Sequence, residues 1–514
     1  MHALLRHVPM LCCLFAVVAA GGDGVATTEA VDYLDPPQGR FIDDWMLVAF
    51  GGEKIGYSHN TMSRDGDVIV TRSLMSLKLG RAGQTIEVLV RQSTRETVAG
   101  EPLTFETDMK MSAIAMSTRG RVEKGKVHIT STQFGKDTTQ TWDFPIGAKM
   151  AWGLFRAGIE HGFAPGTQYE LDVYEPSIRA DGALRAKNVV GGRETIQLSG
   201  RLVGAIKVTT TMTLPMGSVE SVGYVDDSGN VLRAEVQFPG LGSMTLESVD
   251  KAVALAEFEP PEFFMDTLVK VNRRIDRATA KKIHYTLRLS GDGRKLPELP
   301  KTGMQTPLEQ TGQSVKLIVR RQNHEALRTT ETRPLGSVPT MQEFLSPSPA
   351  LNIEDEAIIA MATEAADGET HPYRVADKLR RYVTRIIREK NLSVGFATAS
   401  EVCRTREGDC TEHAVLLAAL GRERGIPSRV VVGLAYVPSF GGRKDVFGFH
   451  MWTQFHIGDQ WVDFDAAMGE SECSPARIAL ATSSLRTSAI GDLAFAIIDL
   501  LGGLKIEIDS VEPG

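Results

Sequence analysis

A cysteine, a histidine and a carboxylate in the last third of the chain are the residue types that could do covalent chemistry together. Cys410 stands in Gly408-Asp409-Cys410-Thr411-Glu412-His413, ahead of the apolar run Val415-Leu416-Leu417-Ala418-Ala419-Leu420. Asp409 is the expected N-cap of a helix that opens at Cys410, and Gly425 then Pro427 stop it. The first turn of a helix offers unpaired N–H groups at the positive end of the dipole. That setting favours thiolate over thiol, and thiolate is the nucleophile. The same N–H groups can hold an oxyanion formed when sulfur attacks a carbonyl.

Downstream, His450-Met451-Trp452-Thr453-Gln454-Phe455-His456 alternates like a strand. Gly458-Asp459-Gln460 makes a turn, and Trp461-Val462-Asp463-Phe464-Asp465 returns. This pattern predicts an antiparallel hairpin that sets a base beside a carboxylate. A thiol nucleophile needs a base, and the base needs an orienting partner. Cys410, His450 and Asp465 supply all three. Other residues compete for these roles. His413 lies one helical turn from Cys410, but a side chain on the same helix is poorly aimed at the sulfur. Asp463 shares a strand face with Asp465, and periodicity does not choose between them. His456 is expected at the surface or behind His450. Glu412 is expected to complement the helix dipole. Trp452 and Trp461 either wall a cleft or pack on the sheet.

At these residues the chain resembles the transglutaminase-like superfamily in its bacterial secreted form. The resemblance rests on Arg406-Glu407-Gly408-Asp409-Cys410-Thr411-Glu412-His413, Gly425-Ile426-Pro427-Ser428-Arg429-Val430-Val431-Val432-Gly433, Phe449-His450-Met451-Trp452 and Trp461-Val462-Asp463-Phe464-Asp465-Ala466. Four blocks in the right order are specific where one Gly-Asp-Cys is not. They lie between roughly residues 350 and 490. The resemblance implies a papain-like triad, with Cys410 as nucleophile, His450 as base and Asp465, rather than Asp463, as orienter. Family members usually carry Pro or Ala and then Thr after the last Asp. Ala466-Ala467 departs slightly from that pattern.

Five hundred and fourteen residues exceed one ordinary domain. A hydrophobic share of 42 % is ample for real cores, and a net charge of −7 argues against nucleic acid as a partner. Arg6 and His7 precede an apolar run from Val8 to Ala20, followed by small residues suited to cleavage. Residues 1–26 are therefore expected to be a signal peptide, too short for a comfortable membrane span, and the protein to be exported, periplasmic or extracellular. Cleavage leaves Cys403, Cys410 and Cys473. With Cys410 free, the other two either pair in an oxidising compartment or stay as thiols.

Residues 27–258 read as strand after strand, with turns at Asp65-Gly66, Lys124-Gly125 and Asp226 to Asn230. They are expected to form a large antiparallel β-rich domain of unknown role, a sandwich or an open curved barrel. One helix is expected at Ala148 to Glu160, and Trp142 and Trp152 in the core. His59, His128 and His161 are scattered and show no metal-ligand spacing. Residues 259–350 are read as a small α/β segment with a helix at Phe263 to Ala278, ending in a Pro-rich linker. Residues 351–514 are read as the catalytic domain. It has helices at Ile353 to Ala366 and Pro372 to Lys390, a mobile loop at Pro438 to Asp445, and a tail forming a helix and a final strand. The fold class is α+β, a papain-like transglutaminase core of helices and antiparallel sheet behind the β-rich domain.

The chemistry expected is thiol-dependent acyl transfer on peptide or carboxamide bonds, ending in hydrolysis, deamidation or cross-linking. It calls for no metal and no cofactor. The expected partners are a protein or peptide substrate and a component of the cell envelope, with no membrane span after signal cleavage. A non-enzymatic binding or assembly module on the same fold is the alternative, and a cell-wall peptidase is a third reading.

Overall fold

The computed structural model describes residues 31–514, apart from 82, 112–113, 134–135, 215–216, 239–241, 263–264, 292–293, 330–338, 390–396 and 487–499. The expected signal segment, with Cys12 and Cys13, lies outside the described residues. Two compact units emerge, residues 31–80 with 85–261 and residues 81–84 with 262–514.

In the first unit, fourteen strands among the described residues form one sheet. Eight strands from Gly39–Phe50 to Lys136–Asp143 meander outward, each pairing with the next. Six more, from Gln168–Val173 to Gly242–Ser248, return. The halves join where the first strand pairs with the last, from Met46 opposite Ser248 to Phe50 opposite Met244. Strands such as Gly39–Phe50 alternate buried and half-buried positions, as a sheet with one better-covered face requires. The cover is the helix Ala151–His161. Trp152 and Phe155 pack on Ile42, Met62 and Ile69, while Leu154 packs on Leu184, Ala186 and Met212. One short helix can reach both halves only if the sheet curls around it, so the open curved barrel is the better of the two descriptions. Trp152 is fully buried, as expected, but Trp142 is 40 % exposed on the end strand of the sheet.

The second unit sets helices against two antiparallel sheets. Among the described residues its α-helices are His324–Thr329, Glu356–Ala366, Pro372–Ile386, Ala399–Thr405 and Cys410–Glu423. The sheet that carries the histidine runs in the order Val269–Lys270, Arg443–Ile457, Ser428–Phe440, Arg477–Ser483, with Gln460–Phe464 also pairing to Arg443–Ile457. A second sheet joins Gln305–Gln310, Ser314–Arg320, Ala280–Leu289 and Leu504–Pro513. Tyr285, Leu287, Leu317, Ile506 and Ile508 from this sheet share a core with Leu434, Tyr436, Phe447 and Ile478 from the other. Burial of such large apolar side chains contributes roughly 1.5–3 kcal/mol each and fixes the frame behind the site.

Two local expectations fail here, each for a tertiary reason. The helix expected at Phe263 to Ala278 is absent from its described part. Met265–Thr267 is a 3₁₀ turn, and Val269–Lys270 is a strand paired to Phe447 and Val446. The open edge of the histidine strand offers backbone partners that outweigh helical propensity. The mobile loop expected at Pro438 to Asp445 is a hairpin end, with Ser439 opposite Lys444, Phe440 opposite Arg443, and Gly441-Gly442 turning at positive φ. The tail begins with a strand, Arg477–Ser483, which pairs with Ser428–Phe440. The described part of the tail shows no helix, residues 487–499 lie outside the described residues, and the expected final strand is Leu504–Pro513.

Candidate active site

The helix Cys410–Glu423 starts as its sequence predicts. Asp409 is its N-cap, and its carboxylate accepts the Thr411 N–H at 2.8 Å. Glu412 reaches back to accept the Asp409 N–H at 2.9 Å, completing a capping box. Glu412 is fully buried rather than exposed at the helix start, and its other oxygen accepts the Ala397 N–H at 3.1 Å. Burial first, then the neighbouring Asp409 charge, push its carboxyl well above the usual range. This double anchor fixes the rotation of the first helical turn. It thereby fixes where the half-buried Cys410 points.

The helix lies against the histidine strand. Thr453 Oγ1 donates to the Ala414 carbonyl at 2.9 Å. The Phe455 ring occupies the space that a Cβ on Gly421 would need. Across the sheet His450 pairs with Gly433. A Cβ on Gly433 would fall 2.1 Å from the Ile478 carbonyl oxygen and 2.7 Å from the Trp452 ring. Glycine there gives Trp452 room to lie nearly parallel to His450, with centroids 6.1 Å apart and planes at 22°.

His450 and Asp465, fifteen positions apart in sequence, meet through Nε2 and Oδ2 at 2.8 Å. The Cys410 thiol lies near enough to the same imidazole to favour its charged form. With Nε2 on the carboxylate, Nδ1 is the ring nitrogen left for sulfur. His450 is 9 % exposed and Asp465 fully buried. Burial is the largest influence on the imidazole and opposes its charge. The Asp465 charge and hydrogen bond, then Cys410, outweigh it and raise His450 to about 10. Burial likewise works against ionised Asp465, but His450, Arg477 and the Met468 N–H hold it well below the usual carboxylate range. The geometry is that of a charged pair poised beside a thiol.

The remaining residues singled out by sequence lie elsewhere. Asp463 takes the Trp452 indole N–H and, at 3.0 Å, the Gln454 amide. His413 is buried with Nδ1 2.6 Å from the Asp409 carbonyl of its own helix. His456 packs edge-on to Trp461. Cys403 and Cys473 are both free and buried. Cys403 donates toward the Ala357 carbonyl at 3.5 Å and Cys473 toward the Glu470 carbonyl at 3.8 Å. Burial raises both thiols. Sequence reasoning missed Arg477, which is 3 % exposed and reaches Asp465 Oδ2 at 3.2 Å. An arginine opening an apolar strand (Arg477-Ile478-Ala479-Leu480) is its only local signal.

Residues 359–466 match the transglutaminase-like superfamily. That stretch contains Cys410, His450 and Asp465 and stops short of Arg477. Members of that superfamily include thiol-dependent enzymes, so the transglutaminase-like segment places the chain near that chemistry at a coarse level. No curated protein matches. Among solved structures, the chain is similar to a Cytophaga hutchinsonii protein described as a candidate cysteine protease. Identity is 14 %, over 46 % of this chain and 90 % of that one, with a TM-score of 0.29. A β-barrel-like protein with a domain of unknown function from Brucella abortus aligns at 14 % identity over 41 % of this chain and 95 % of that one, TM-score 0.31. A candidate protease from Parabacteroides distasonis aligns at 10 % identity over 73 % and 69 %, TM-score 0.19. At such identities and scores these likenesses carry no functional argument.

Proposed function

We propose that the chain is an exported thiol-dependent acyl-transfer enzyme acting on peptide or carboxamide bonds. Cys410 is the nucleophile, His450 the proton carrier and Asp465 the orienting carboxylate. The observation that carries the reading is one imidazole hydrogen-bonded to the Asp465 carboxylate and close enough to the Cys410 thiol that both favour its charged form. In this reading the Cys410 sulfur attacks the carbonyl carbon, and the tetrahedral oxyanion forms at the positive end of the cysteine helix. As the intermediate collapses, the C–N bond breaks and the imidazolium gives its proton to the departing amine or ammonia. A thioester on Cys410 remains. Neutral His450 then takes a proton from water or an acceptor amine, which attacks the thioester and releases the thiol. Water gives hydrolysis or deamidation, and an amine gives a cross-link. Asp465 stays ionised throughout and keeps the ring oriented.

The test is intact-mass spectrometry of the full chain after brief exposure to a peptide digest of cell-envelope protein. The reading predicts an acyl adduct on Cys410 and turnover that disappears in Cys410→Ala. Equal turnover by Cys410→Ala would remove it. Adding a labelled primary amine separates cross-linking from hydrolysis.

A further inference from the structure

Asp465 is shared between two cations. Its Oδ2 meets His450 Nε2 at 2.8 Å and Arg477 Nη1 at 3.2 Å, while Oδ1 accepts the Met468 N–H at 2.9 Å. The other nitrogens of Arg477 are also engaged. Nε donates to the Ser474 carbonyl at 3.1 Å, and Nη2 donates to Glu470 Oε2. The guanidinium carbon lies 5.2 Å from the centroid of the Trp452 ring that flanks His450. Glu470 in turn accepts from Arg277 and exchanges two 2.8 Å backbone hydrogen bonds with Asp465. Charge therefore alternates along Arg277, Glu470, Arg477, Asp465 and His450.

A guanidinium is a rigid planar fork and can fix two carboxylates at once. Without Arg477, Asp465 Oδ2 would rest on the imidazole alone, and only the Met468 N–H on Oδ1 would oppose rotation about the last torsion, which is broad. A fully buried arginine also carries a heavy desolvation cost, so its retention beside the imidazole's partner calls for a role. We propose that Arg477 is a positioning residue for the acyl-transfer reaction, holding Asp465 Oδ2 on the imidazole by tying it to Glu470 and bracing Trp452 beside the ring. This rests on the reading of the site as a thiol acyl-transfer centre. Arg477 acts through Asp465 and does not touch the reacting atoms.

The charged surroundings define a discriminating readout. His450 is faced by Asp465 and Cys410. Arg477 is faced by Cys473, Asp465, Glu470 and Asp463. Removing a nearby cation would, as bare charge, make His450 hold its proton more tightly. Loosening Asp465 would make it hold the proton less tightly. Because the carboxylate is in direct contact with the imidazole, a positioning role predicts that the second effect dominates.

The experiment follows the His450 imidazole by NMR titration in the histidine-labelled full chain, with the signal assigned through His450→Gln. It compares wild type with Arg477→Gln, Arg477→Lys and Glu470→Gln. Arg477→Gln is expected to lower the His450 midpoint by about one unit or more, a roughly tenfold change in proton affinity. Arg477→Lys should recover part of the fall, and Glu470→Gln should move it in the same direction. An unchanged or raised midpoint in folded Arg477→Gln overturns the proposal. If that variant does not fold, Arg477→Lys, which keeps the cation and removes the planar fork, decides by the same criterion. Iodoacetamide labelling of Cys410 on the same samples keeps the two claims apart. A wild-type Cys410 that resists labelling at neutral pH defeats the acyl-transfer reading, whatever the His450 midpoint does.

Discussion

The Cβ that Gly408 lacks would lie 2.3 Å from Cβ of Glu412. Gly408 also holds φ +143°, in a region that L side chains rarely adopt. The backbone thus passes directly over the carboxyl group that folds back to cap the cysteine helix. Gly408→Ala is expected to cost about 1–3 kcal/mol from backbone strain, with the clash against Glu412 adding to it. The cap and the aim of Cys410 are lost together. Thermal unfolding and Cys410 labelling, measured on one preparation, check this. An alanine variant with unchanged melting and labelling would contradict the account of the turn.

Asp465→Asn keeps the size of the side chain and removes its charge. The imidazolium loses its main support, and the ring loses the acceptor that fixes its orientation. Turnover of an amide substrate should fall by about 10²–10⁴-fold, the range that a positioned acid–base group contributes. Asp463→Asn, which touches Trp452 and Gln454 rather than His450, should affect turnover far less. Steady-state rates for the two variants decide between the carboxylates.

His450 stands above its ordinary value of 6.5, so its charged form is favoured in the folded state. The stabilisation it contributes is complete below about 6.5 and is lost as pH rises through about 10. Asp465 is held below its ordinary 3.8, so its contribution is complete above that value and is lost on acidification below it. Amide turnover should fall above about pH 10, where the proton donor to the leaving amine disappears. Alkylation of Cys410, which needs only the thiolate, should not fall with it. A turnover profile with its alkaline limb near the ordinary histidine value would contradict the raised imidazole.

Cys403 and Cys473 are buried, and burial pushes both thiols up, so neither competes as a nucleophile. Iodoacetamide applied to the native protein at neutral pH should mark Cys410 and spare these two until the chain is unfolded. Peptide mapping of native and denatured samples reads this directly. A Cys403–Cys473 disulfide in the mature protein would be the opposing result.

The cysteine helix was legible because capping is local. Asp409 and Glu412 sit at the spacing of a capping box, and the apolar run follows at once. The hairpin from His450 to Asp465 was legible for a similar reason, since alternation and a Gly-Asp turn fix its register. Residues joined only by tertiary contact were not legible. Nothing around Val269 announces a strand, because its partner is Phe447 far along the chain. Nothing around Arg477 announces a salt bridge, because the carboxylate it meets lies across a turn that sequence does not close. Periodicity left Asp463 and Asp465 equivalent. The indole of Trp452 separates them by occupying Asp463. The curl of the first unit likewise depends on a pairing, Met46 with Ser248, that no local pattern encodes.

The central claim is that His450, backed by Asp465, makes the Cys410 sulfur reactive. The most direct measurement is the rate of iodoacetamide labelling of Cys410 at pH 7 in wild type and in His450→Ala, with folding of both checked by circular dichroism. The account predicts fast labelling in wild type and a loss of about tenfold or more in the variant, since the thiol then loses its imidazolium partner. Equal rates in two folded proteins would contradict it.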